Sequence, residues 1–275
     1  MTVRALLLLL TGASIAFVGA ICGIGGGLFA VPLLHYAFRM PLRPAVATSL
    51  CLVAATAWSS TISELVRSDS AFLWDVVLPL VGGALVGAQF GYGASRRLDE
   101  RVVKGLFTVV LTGVGLRMLL TSGVAPEPAP FHESYSVARA AIVAAIGVLA
   151  GTVSPLLGIG GGLVVVPGLL LALPEIGGLG ARAASLGVAC VTSARSIQLY
   201  AREKAIDPRF ALPIAMGALV GASSGVHVVH LPGVSEVGQR VLGGILLLTA
   251  ARFATDVVRA RSRILPPEGT REGTR

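Results

Sequence analysis

GIGGG at residues 23–27 returns unchanged at 158–162, and each copy is followed after four residues by a proline, Pro32 and Pro167. Each copy also closes a long apolar run. Glycine and proline are the two poorest helix formers, so both clusters interrupt what would otherwise be continuous helices. The surroundings say what kind of helices these are. Hydrophobic residues make up 54% of the 275-residue chain, charged residues only 13%, and the mean hydropathy is +0.83. Apolar runs close to the ~20 residues that cross a bilayer recur from end to end. The composition is that of an all-α polytopic membrane protein.

More than the glycine clusters is repeated. LPLVGGALVGAQFG (78–91) matches LPIAMGALVGASSG (212–225), and AVATSL (45–50) resembles RAASLG (182–187), with Ser49 and Ser185 in step. The offset stays between 134 and 136 residues, so about 120 residues are duplicated. Apolar segments fall at 4–22, 27–38, 45–66, 72–94 and 101–121, then at 136–157, 161–173, 181–201, 207–230 and 236–258. The two that follow the glycine clusters are too short to span, since 12 or 13 helical residues reach only ~18–20 Å. The opening MTVRALLLLLTGASIAFVGA has the make-up of a signal peptide. A similar segment at 136–157 precedes the second cluster, so it is read as architecture rather than as a cleaved address.

Basic residues between the segments set the orientation. Arg96, Arg97, Arg101 and Lys104 mark one cytoplasmic loop, and Arg202, Lys204 and Arg209 another. The tail arginines (Arg259, Arg261, Arg263, Arg271, Arg275), the stretch 39–44 and the N-terminus fall on the same side. The linker SGVAPEPAPFHES has no Lys or Arg and lies outside; Arg139, Arg182 and Arg240 go against the majority. The expected organisation is a first repeat at 1–121, an extracytoplasmic linker at 122–135, a second repeat at 136–260 and a disordered cytoplasmic tail at 261–275. The two repeats have inverted topology, each a broken or re-entrant helix hairpin plus three transmembrane helices. One hairpin enters from each face and both tips lie near the midplane, which is how secondary transporters are commonly built.

The duplicated GIGGG-x4-P pattern, with ATSL at 47–50, resembles the sulfite exporter TauE/SafE family, also called the toluenesulfonate uptake permease family. The resemblance covers about residues 4–260. It implies a transporter of sulfite, sulfonates or related small organic anions in the bacterial inner membrane. The second half departs from the pattern, with Ala184 in place of Thr48.

The chemistry of the site follows from the tips. A helix that begins at the midplane directs N–H groups and the positive end of its dipole into the protein, which favours an anion without a formal charge in lipid. The expected substrate contacts are Gly23, Gly25, Gly26, Gly27, Gly158, Gly160, Gly161 and Gly162, with hydroxyls from Thr48, Ser49 and Ser185. Ser49 and Ser185 could equally bond the preceding turn. Pro32 and Pro167 break the backbone ladder: if helical, they deprive the carbonyls of Leu28 and Leu163 of donors, and otherwise the helices begin at the prolines. On this basis Gly25→Leu or Gly160→Leu is expected to abolish transport without unfolding. Gly83, Gly87 and Gly91, with their copies Gly217, Gly221 and Gly225, are read instead as helix-packing contacts.

Arg195 is the candidate counter-charge for the anion, although it could snorkel toward Arg202. Glu64 with Arg67 reads as a surface i,i+3 pair. His35 is a candidate coupling group, with H+ or Na+ as the co-transported ion. His227 and His230 have no third ligand nearby, so no metal site and no cofactor are expected. Cys22, Cys51 and Cys190 read as small packing residues. The net charge of +8 is spread along the loops, which excludes a nucleic-acid partner. The apolar segments hold no acid pair and no HExxH, so the chain is not read as an enzyme. The partners expected are the anion and the bilayer, with a homo-oligomer compatible. The expectation is alternating-access transport of a small oxyanion bound between the tips. The alternative is an anion channel using the same tips.

Overall fold

The computed structural model describes residues 3–22, 25–66, 72–120, 137–229, 244 and 247–256. Gly23, Arg67, His230, Arg240, the linker 122–135 and the tail 261–275 lie outside these, as do the side chains of Cys22 and Arg117. The protein is all-α, and among the described residues there is no strand. Helix α1 (Val3–Cys22) leads to the first glycine cluster, and the short α2 (Gly27–Pro32) follows, continued by a π-helical turn at Leu33–Ala37. Then come α3 (Leu42–Leu65), α4 (Trp74–Arg97) and α5 (Glu100–Leu120). In the second half α6 (Val137–Leu157) leads to the second cluster, and α7 (Gly162–Ala172), α8 (Gly177–Arg202) and α9 (Pro208–Val229) follow. A helical stretch at 247–256 packs Phe253 on Phe107 of α5, stacked at 5.2 Å.

Among the described residues, five helices are long and apolar enough to cross a membrane: those around α3, α4, α6, α8 and α9. The helix expected at 45–66 begins earlier, at Leu42, because Pro44 sits in the first turn, where no intrahelical N–H is needed. The apolar helices after the two clusters, Gly27–Ala37 and Gly162–Ala172, are much shorter. At 1.5 Å per residue each reaches about 16 Å, roughly half of a bilayer core.

Glycine sets which helices pair. In lipid, apolar surface gives helices no reason to associate, so close backbone approach has to supply the contact. α4 packs along α6, and α1 along α9. A Cβ on Gly83, Gly87 or Gly91 of α4 would overlap the carbonyl oxygens of Ala144, Val148 and Thr152. A Cβ on Gly217, Gly221 or Gly225 of α9 would meet those of Leu9, Ala13 and Phe17 in the same way. These six glycines are packing residues, as their spacing suggests. Gly147 and Gly151 of α6 return the contact against Leu80 and Ala84 of α4, and Gly12 of α1 does so against Ile214 of α9. Both interfaces join a helix of one sequence half to a helix of the other. Gly87→Val and Gly221→Val are expected to force their pairs apart and to destabilise the detergent-solubilised protein by similar amounts, about 1–3 kcal/mol or more each. Thermal melting of the two variants checks this.

Ion pairs tie the helix ends together. Glu203, after α8, accepts from Arg43 at 2.6 Å and Arg96 at 3.1 Å, which brings three of the basic loops to one end of the bundle. Arg139 at the start of α6 meets Glu175 at 3.3 Å, just after α7.

Candidate functional site

The glycine clusters become two tips in contact with each other. Gly158 ends α6: its N–H bonds the Ser154 carbonyl at 2.8 Å and its φ of +67° stops the helix. Gly161 then starts α7 as a left-handed N-cap at φ +83°, and Gly26 does the same for α2 at φ +77°. Only glycine adopts these angles readily, which is why both breaks are written in that residue. A Cβ on Gly27 would overlap the carbonyl oxygen of Gly158 and stand 2.8 Å from the Cα of Ile159. Glycine at this position lets one tip touch the backbone of the other. All the described tip glycines are buried.

The prolines are helical on both sides, so of the two readings open from the sequence the first holds. Pro32 lies inside α2 with φ −57° and ψ −42°, and Pro167 inside α7. Neither has an N–H to give, so the carbonyls of Leu28 and Leu163 lose their i+4 donor. After Pro32 the helix widens into the π-helical turn, where the Phe38 N–H reaches the Leu33 carbonyl.

Helices α3 and α8 flank the tips. Ser49 Oγ lies 2.8 Å from the Val46 carbonyl and 3.0 Å from that of Gly158. Thr192 Oγ1 lies 2.9 Å from the Gly160 carbonyl and 3.0 Å from that of Val188. Each hydroxyl thus divides its proton between its own helix and a carbonyl of the second tip. Val53 fits between the tips, where a Cβ on Gly25 would stand 3.1 Å from its Cγ1. Ser185 is fully buried on α8.

Other expected residues lie elsewhere. Thr48 is one residue, about 100° of helix, away from Ser49; its Oγ1 accepts from the Asp207 N–H at 3.4 Å, beside the α8–α9 loop. Arg195 donates to Gln198 at 2.6 Å on a partly exposed face of α8. His35 donates from Nδ1 to the Met40 carbonyl at 2.9 Å, since a carbonyl can only accept. Its ring stacks on Phe253 with centroids 6.2 Å apart. This fastens the end of the π-helical turn.

Glu64 does not lie at the surface, where its expected pairing with Arg67 would put it. Glu64 is buried, only 2% exposed, and faces Arg182 of α8 at 3.8 Å, itself 5% exposed. The antiparallel crossing of α3 and α8 brings these residues together across 118 positions, which no local spacing rule could show.

Long apolar helices mark a membrane protein, and the comparison with known proteins says of what kind. The family model for sulfite exporter TauE/SafE matches residues 2–129 and 143–274. The chain belongs to the TauE/SafE family. It is similar to a "probable membrane transporter protein" of Xylella fastidiosa strain 9a5c, 28% identical over 91% of this chain and 95% of that protein. A second relative is the "probable membrane transporter protein" MJ0441 of Methanocaldococcus jannaschii, 27% identical over 70% of this chain and 71% of that one. YunE of Bacillus subtilis strain 168, also described as a probable membrane transporter protein, is 28% identical over 38% of each chain. No solved structure matches the chain. Membership places this protein among membrane transporters, held in the bilayer by its long apolar helices.

In this TauE/SafE chain the sequence did carry a further signal. Beyond Ser49 and Ser185, the offset of 136 also joins Thr56 to Thr192 and Ser60 to Ser196. The pattern S-x6-T-x3-S therefore occurs once on α3 and once on α8, with all six residues fully buried. At 100° per residue the six positions occupy an arc of about 40° on each helix. Arg182 and Glu64 lie about 40° beyond it, on the same side of their helices.

Proposed function

We propose that this protein is a secondary transporter of a small oxyanion, sulfite or a sulfonate, working by alternating access about the two glycine tips. The contact between tips is the observation that carries this reading. Helix α2 starts at that contact and α7 starts four residues beyond it, at Gly162, so two positive dipole ends lie in one buried region. An anion that displaces the contact meets backbone N–H groups from both tips, with Ser49, Thr192 and Ser185 alongside.

The inverted arrangement of the two halves belongs to the same reading. Its support is the exchange of partners, in which α1 packs on α9 while their counterparts α6 and α4 pack on each other. Both short helices are then re-entrant hairpin legs. The termini are cytoplasmic, the membrane is the bacterial inner membrane, and the bundle end gathered on Glu203 faces the cytoplasm. The protein performs no catalysis, and its coupling ion would be H+ or Na+.

Within this reading the positive charge of the path comes from Arg182. It lies on the side of α8 that faces α3 and is buried against Glu64, whereas Arg195 points to another face. Purified protein in liposomes is expected to take up labelled sulfite or methanesulfonate saturably, without ohmic conductance in planar bilayers. Absence of uptake of both anions would overturn the substrate class. Conductance that does not saturate would make the protein a channel.

A further inference from the structure

Ser60 on α3 and Ser196 on α8 are fully buried, and neither hydroxyl has a hydrogen-bond partner among the described residues. Buried serine and threonine in membrane helices normally bond a carbonyl one turn back. Thr56, Thr192 and Ser193 in these same helices do so. A buried hydroxyl without a partner is unfavourable, yet three serines show the feature among the described residues, Ser60, Ser154 and Ser196. Two of them, Ser60 and Ser196, stand at positions related by the repeat offset of 136.

Their placement relates them to the tips. Ser60 shares its face of α3 with Ser49 and Val53, which touch the tips. Ser196 shares its face of α8 with Thr192 and Ala189, which do the same. Each serine lies seven residues, about 10 Å, along its helix from the residue at tip level, Val53 or Ala189. The helices run in opposite directions, so the two hydroxyls lie on opposite sides of the tips. Ser60 is one turn before Glu64 and its contact with Arg182. Ser196 is one turn before Tyr200, which is buried and donates to the Pro155 carbonyl at 2.8 Å.

We propose that Ser60 and Ser196 are a matched pair of oxyanion-binding hydroxyls, one on each side of the glycine tips. Ser60 receives the anion when the path opens at the Glu64–Arg182 end, and Ser196 when it opens at the Tyr200 end. A hydroxyl donates to a sulfite or sulfonate oxygen with no formal charge of its own, so it binds the anion while letting it leave. The inference rests on the transporter reading and adds sidedness to it.

Transport in right-side-out and inside-out membrane vesicles tests the pair, with labelled sulfite and labelled methanesulfonate as separate probes. Ser60→Ala is expected to raise KM about tenfold in one vesicle orientation, and Ser196→Ala in the opposite one, with maximal rates nearly unchanged. Ser59→Ala serves as the control, because that hydroxyl is already engaged, 2.8 Å from the Leu219 carbonyl. The melting midpoints of both test variants are expected to stay at or above that of the wild type, since no protein bond is lost. Wild-type KM values for both variants in both orientations, equal shifts in both, or a marked fall in melting midpoint would each overturn the proposal. A wild-type protein that moves neither anion would instead overturn the transporter reading beneath it.

Discussion

Gly27→Ala is expected to leave little folded protein, although it adds a single methyl group. That methyl would enter the space of the Gly158 carbonyl and lie 2.6 Å from Val53 Cγ2. The opposing atoms on the second tip are backbone, so no rotamer change relieves the contact. The second tip is also fixed by hydroxyl bonds to Gly158 and Gly160. A loss of about 3 kcal/mol or more is expected, at the top of the range for overpacking. Melting in detergent and the yield of monodisperse protein measure it. Gly82→Ala is the matched control: it meets nothing within 4 Å and is expected to be neutral or stabilising by about 0.5–1 kcal/mol. If Gly27→Ala melts like Gly82→Ala, the tips do not touch as described. The same geometry revises the expectation that Gly25→Leu and Gly160→Leu spare the fold. Both positions have φ above +70°, and a Cβ on Gly160 would overlap Val53, so loss of transport in those variants would report structure as much as binding.

Glu64→Ala is expected to cost about 3–5 kcal/mol, because it leaves the buried Arg182 guanidinium without its carboxylate. The pair is almost fully enclosed, with side chains 3% and 6% exposed for Glu64 and Arg182. Replacing both residues with apolar ones of similar size, Glu64→Leu with Arg182→Met, is expected to recover most of that loss. If Arg182 also serves the anion, the double variant melts like the wild type yet fails to take up labelled sulfite. A double variant that transports normally would remove Arg182 from the path. A Glu64→Ala protein as stable as the wild type would show that the pair is hydrated rather than buried.

Much of the frame was legible because its causes are local. Apolar run length limits which segments can span, and glycine and proline mark where helices must break. Gly26 and Gly161 could be read as breaks from their neighbours alone. The packing role of Gly83, Gly87 and Gly91 was also legible, since small residues four apart share one helix face. Pro32 and Pro167 were ambiguous because proline fits both inside a short helix and at its start, and only the surrounding packing selects between these. Ser49 was ambiguous for a similar reason: its bond to its own helix is local, but its bond to Gly158 spans 109 residues.

By itself the sequence determined the class of the protein, the sites of its helix breaks and the duplication behind them, since each depends on composition or on short-range backbone chemistry. Tertiary structure alone decided that the two tips touch, that Glu64 is buried against Arg182, and that Ser60 and Ser196 have no hydrogen-bond partner among the described residues. These depend on how helices far apart in the chain cross, and the crossing is fixed by backbone contacts at glycine. A residue's neighbours in sequence cannot report whether its polar atoms will be met from the opposite half.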